Sequence, residues 1–224
     1  MASKCSQFLQ FHLKLRPFQG FSVSVASSSD NILIYLHGFN SAPQSFKAQQ
    51  VKGFIEQTYP HVELMIPQIA LTPLDAWRQL ETMLNDVMTR RPQARVGFVG
   101  SSLGGFFATK LANQFGGKCV LINPAVTPFK LIELLIGEYT NQYTGHIQQV
   151  TMAHGEELEL LQFDQIKSIE NYWVLLQQGD ETLDYRLAVA AYSGTRVTLE
   201  PLGDHSFIGF NRYLNSIVEF LFEN

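Results

Sequence analysis

From Asn31 onward, short apolar runs alternate with segments whose apolar residues recur at helical spacing, and this alternation constrains the fold more than any other feature. Residues 32–36 form a continuous apolar run ending at His37-Gly38, the pattern of a central strand buried on both faces. Phe46, Val51, Phe54 and Ile55 then predict one face of a helix, and residues 62–66 a strand stopped by Pro67. Thr72-Pro73 opens a second helix, because threonine caps free N–H groups and proline suits the first turn; Leu74, Trp77, Leu80, Leu84 and Val87 follow at helical spacing. Further strands are expected over 96–99, 119–122, 172–176 and 197–199, and helices over 106–115 and 185–192. A terminal helix carries Tyr213, Ile217, Val218 and Leu221. Such alternation predicts an α/β protein with a mostly parallel, doubly wound sheet and a site at the carboxyl ends of its strands. No strand is expected between Pro124 and about Asn171. That stretch is too long for a plain connection, so a helical, lid-like insertion over about 125–171 is expected to cover the site.

The 224 residues suffice for one domain, expected over 31–224. Residues 1–30 stand apart. They hold Lys4, Lys14 and Arg16 with no acidic residue before Asp30, which would suit a targeting peptide. Phe11, Leu13 and Leu15 alternate with polar residues, as do Phe21, Val23 and Val25, which would suit a β-hairpin. A non-native start, an N-terminal extension without a role, is the third reading. A net charge of −4 argues against nucleic acid as partner, and no apolar run reaches the roughly 20 residues of a membrane-spanning helix. Cys5 and Cys119 make no disulfide framework, so a reducing, cytoplasmic setting is expected. No clustered Cys/His spacing suggests a metal, and no organic cofactor is expected. The oligomeric state is not legible.

Gly100-Ser101-Ser102-Leu103-Gly104 fits G-x-S-x-G between an expected strand and an expected helix, the context this nucleophile turn requires. Only Ser102 has glycine two residues away on both sides; Ser101 has Val99 and Leu103 there. The turn would expose the Ser102 oxygen, with Gly100 and Gly104 letting strand and helix approach closely. His37-Gly38-Phe39-Asn40-Ser41 follows the first buried strand, where hydrolases of this architecture place one oxyanion-hole donor. The candidate donors are the backbone N–H groups of Phe39 and Leu103, with His37 ordering the loop. A serine needs a base held by a third group, and in this fold the order runs serine, acid, histidine. His205 follows the last strand and precedes the terminal helix. Asp180 ends the run Leu175-Leu176-Gln177-Gln178-Gly179-Asp180 and is the candidate acid, with Asp184 the alternative. A helix N-cap role would otherwise explain Asp184, and Asp204 adjoins His205 too closely in sequence to present its carboxylate to it.

The strings Ile34-Tyr35-Leu36-His37-Gly38-Phe39-Asn40-Ser41, Gly100-Ser101-Ser102-Leu103-Gly104-Gly105, Asn123-Pro124-Ala125-Val126, Tyr143-Thr144-Gly145 and the Asp180 run closely resemble the bacterial YqiA-like esterases, the UPF0227 group. The resemblance runs from about Asn31 to the C-terminus. It implies a compact cytoplasmic α/β-hydrolase with esterase activity, including toward acyl-CoA thioesters, and carries the triad onto Ser102, Asp180 and His205. Residues 1–30 depart from the pattern. The expected function is a serine esterase or thioesterase acting on small-molecule acyl substrates. A peptidase or amidase on the same triad is the alternative within enzymes, and a catalytically silent hydrolase-fold binding protein the alternative outside them.

Overall fold

The computed structural model describes residues 31–223; the readings made for residues 1–30 lie outside the described residues. The first strand, β1 (Asn31–Leu36), shows how a uniformly apolar run is divided. Side chains alternate across a strand, so Ile32, Ile34 and Leu36 enter one core while Leu33 and Tyr35 enter the other. The remaining strands of this sheet are β2 (Val62–Met65), β3 (Arg95–Ser101), β4 (Lys118–Ile122), β7 (Tyr172–Gln177) and β8 (Arg196–Glu200), with β5 (Gly137–Thr140) and β6 (Ile147–Val150) forming a separate hairpin. Their order is β2-β1-β3-β4-β7-β8, and every adjacent pair is parallel.

Helices cover both faces. α1 (Phe46–Thr58) and the terminal α7 (Leu214–Phe222) pack on the Leu33/Tyr35 face. α2 (Pro73–Arg90), α3 (Leu103–Phe115) and α6 (Tyr185–Ala191) pack on the other. As the sequence predicts, the Thr72 hydroxyl accepts the Asp75 N–H at 3.3 Å at the start of α2, and Pro73 occupies its first turn. Chain order reverses between β1 and β3, so the loops leaving their carboxyl ends diverge and open a crevice there. Cys119 is buried in β4, and that burial pushes its thiol pKa well up. Among the described residues no helix is long and apolar enough to cross a membrane.

Two expectations are corrected. Phe46 does not join the buried face of α1: it is 74% exposed, while Ala48, Val51 and Ile55 are buried. Val51 lies five positions after Phe46, which at 3.6 residues per turn is about 140° around the helix. Nor is the stretch between β4 and β7 free of strands. After a 3₁₀ turn (Pro128–Leu131) and α4 (Ile132–Leu135) it forms an antiparallel hairpin of β5 (Gly137–Thr140) and β6 (Ile147–Val150), then α5 (Met152–Leu160). The hairpin turns at Asn141, whose Oδ1 accepts the N–H groups of Tyr143 and Thr144. Only Gln148 and Val150 of β6 face inward, so apolar alternation was too sparse to mark it.

Candidate active site

Ser102 joins the end of β3 to the start of α3 with φ 55° and ψ −123°, a region L-residues rarely adopt. The flanking glycines make the turn sterically possible. A Cβ on Gly100 would lie 2.4 Å from the Gly104 carbonyl oxygen, and one on Gly104 only 2.1 Å from the Leu36 carbonyl oxygen. The first contact would push α3 off β3, the second off β1. The turn is fixed by Ser102 N–H donating to Ile122 O, while Ser102 O accepts from Gly105 and Ala125 N–H.

The loop after β1 lies directly against this turn: a Cβ built on Gly38 would be 3.6 Å from Ser102 Oγ. His37 orders that loop. Its Nε2 accepts the Ile69 N–H at 3.3 Å, so the proton sits on Nδ1, which donates to the Gly38 carbonyl at 3.0 Å. Burial holds the His37 pKa below the ordinary histidine value. Both ring nitrogens are thus committed to backbone, and His37 carries no proton for chemistry. Phe39 and Leu103 line the same cavity as Ser102, and their N–H groups find no acceptor among the described residues.

His205 reaches Ser102 from the loop after β8, with Nε2 3.1 Å from Oγ. Its Nδ1 lies 2.9 Å from both oxygens of Asp180, whose side chain is only 2% exposed, in the turn after β7. Asp180 Oδ1 also accepts the N–H groups of Thr182 and Leu183, which fix the carboxylate's orientation. A carboxylate at Nδ1 requires the proton there and leaves the Nε2 lone pair facing the serine hydroxyl. Asp184 is not brought to this group. It caps α6 by accepting the Arg186 N–H and pairs with the Arg186 guanidinium.

Ser102 and His205 open into a cavity of about 730 Å³, within the size range of small-molecule sites. Its walls are mainly apolar. Ile69 and Ala76 line one side, and Leu131, Ile132, Val150 and Leu158 of the segment between β4 and β7 line another. That segment therefore forms part of the cavity wall. Among the described residues no group of three or more His, Cys, Asp or Glu side chains is placed to hold a metal ion.

Sequence reasoning missed two polar side chains behind the Ser102, His205 and Asp180 group. Asn123, at the end of β4, and Gln177, the last residue of β7, are each 2% exposed and bond to the loop carrying His205. A polar residue closing an apolar run was the available signal.

The chain matches the family model UPF0227, described as an uncharacterised protein family, over residues 32–222. Among solved structures it is similar to a putative hydrolase from Agrobacterium vitis S4, with TM-score 0.68 and 19% identity, covering 87% of this chain and 90% of that one. Est1E from Butyrivibrio proteoclasticus gives TM-score 0.65 and 13% identity over 88% and 89%. XC6422 from Xanthomonas campestris, described as an α/β serine hydrolase without a lid, gives 0.57 and 11% over 88% and 84%. The shared architecture is the α/β-hydrolase fold.

Proposed function

Because the chain belongs to the UPF0227 family and has the α/β-hydrolase fold, we propose that it is a serine hydrolase cleaving acyl esters and thioesters, acyl-CoA thioesters included. The observation that carries this reading is the continuous hydrogen-bonded path from Ser102 Oγ through His205 to Asp180, opening into a largely apolar cavity.

A serine hydroxyl is a poor nucleophile until a base takes its proton as the new bond forms. His205 Nε2 is within reach to do this, and Asp180 stabilises the imidazolium that results. As Oγ adds to the substrate carbonyl, the carbonyl oxygen becomes an oxyanion, received by the Phe39 and Leu103 N–H groups. Each such donor contributes about 10²–10³ in rate. His205 then protonates the departing alcohol or thiol, leaving an acyl-serine. Water attacks that ester, giving a proton to His205, which returns it to Ser102 as the acid leaves. The apolar walls suit an acyl chain, and no step needs a cofactor. The segment over 125–171 serves here as the cover of the acyl group.

A substrate panel tests the proposal: oxygen esters and CoA thioesters of graded chain length beside aminoacyl amides, with wild type and Ser102→Ala. Ester and thioester turnover that vanishes in Ser102→Ala is expected. Preferred turnover of the amides, or turnover that survives in Ser102→Ala, would overturn it.

A further inference from the structure

The base of the proposed reaction sits on a loop with no regular structure, and on the hydrolase reading its placement decides the rate. The backbone of that loop is left-handed at Leu202, Gly203, Phe207 and Gly209, so no helix or sheet ladder fixes His205. We propose that Asn123 and Gln177 are the positioning residues that hold His205 against Ser102, a two-residue brace built on the ends of adjacent strands.

The hydrogen bonds support this atom by atom. Asn123 Nδ2 donates to the carbonyls of Asp204 at 3.0 Å and His205 at 3.3 Å. Gln177 Oε1 accepts the N–H groups of Asp204 at 3.1 Å and Ile208 at 2.8 Å, and its Nε2 donates to the Ile208 carbonyl at 2.9 Å. The remaining Nε2 hydrogen goes to Glu200 at 2.7 Å, so the Gln177 amide has used both donors and both lone pairs. The two members are joined as well: Asn123 Oδ1 accepts the Gln177 backbone N–H at 3.0 Å. Each side chain therefore has one set of bonds that fixes it and another that fixes the loop on either side of His205. Asn123 also has φ 41°, which asparagine tolerates better than most residues. Lys47 Nζ, donating to the Ser206 carbonyl at 2.7 Å, and Glu181, accepting the His205 N–H, steady the loop from its outer side.

Neither Asn123 nor Gln177 lines the cavity, so losing either should misplace the base without altering substrate contacts. A displacement on the 1 Å scale costs about 10²-fold in rate. The test uses the full chain with p-nitrophenyl butyrate, comparing wild type, Asn123→Gly, Gln177→Met and a core control, Val87→Ala, in α2. A fall in kcat of about 10²-fold with KM nearly unchanged is expected for both brace variants, measured well below their melting temperatures. The control, which loosens the core away from the loop, should keep its kcat. Brace variants that lose no more kcat than Val87→Ala would overturn the proposal. A wild type that neither turns over the ester nor reacts with a fluorophosphonate would instead overturn the hydrolase reading. Amide exchange of the wild type decides the matter even if both variants fail to fold. Asp204 and Ile208 N–H should exchange as slowly as strand amides, and exchange at open-loop rates would overturn the brace.

Discussion

Ser102 stands in a backbone conformation that costs on the order of 1–3 kcal/mol, and the surrounding bonds at Ile122, Gly105 and Ala125 hold it there. Its partners divide two nearby carboxylates between two tasks. Asp180 is buried and faces His205, whereas Asp184 is occupied with the start of α6. Asp180→Asn should therefore lower kcat by about 10⁴-fold, because an amide no longer enforces the Nδ1-protonated tautomer. Asp184→Asn, which keeps a capping side chain, should leave it nearly unchanged; steady-state rates of the two variants check this. His37 gives a pH prediction. Burial lowers its folded-state pKa, so on acidification the unfolded chain takes up a proton that folded His37 refuses. The stability His37 contributes is present above the ordinary histidine pKa and is lost as pH falls toward its lowered folded value. Urea midpoints measured from pH 7.5 down to pH 5 should fall, and the slope should flatten in His37→Gln. The meeting of the Ser102, Asp180 and His205 side chains was legible in the sequence because each is tied to a local pattern, a strand end or a glycine spacing. Asn123 and Gln177 were not. They lie 54 residues apart, and only the pairing of β4 with β7 makes them neighbours.

Elements were legible where their hydrophobic pattern was dense. β1 and α2 follow their apolar periodicity closely, and Thr72-Pro73 marks the start of α2. β5 and β6 escaped because each has four residues and few apolar ones, and Phe46 misled because it sits off the buried face of α1. Close packing of α3 on the sheet rests on Gly104, where a Cβ would meet the Leu36 carbonyl oxygen at 2.1 Å. Gly53, inside α1, has nothing within 4 Å of that position. Gly104→Ala should thus destabilise by about 1–3 kcal/mol or more, the usual penalty of overpacking. Gly53→Ala should stabilise by about 0.5–1 kcal/mol through helix propensity. Denaturant titration of both variants separates steric demand from conformational preference.

For the whole molecule, the order β2-β1-β3-β4-β7-β8 brings the ends of β1, β3, β4, β7 and β8 to one edge, so segments distant in sequence meet at one serine. The parallel doubly wound class was legible from alternation alone. How the stretch between β4 and β7 lines the cavity was not, because that depends on which side of the sheet it crosses. The family match spans residues 32–222, so the chain from Asn31 onward is expected to keep its melting temperature and kcat when residues 1–30 are removed. Thermal unfolding of the shortened chain checks this, and a large loss of stability would contradict it. The central claim is that Ser102 is an activated nucleophile. Incubating the native chain with a fluorophosphonate and locating the adduct by mass spectrometry tests it most directly. The account predicts one adduct, on Ser102, absent in Ser102→Ala and strongly slowed in His205→Ala. An unlabelled Ser102, under conditions that label a known serine hydrolase, would contradict it.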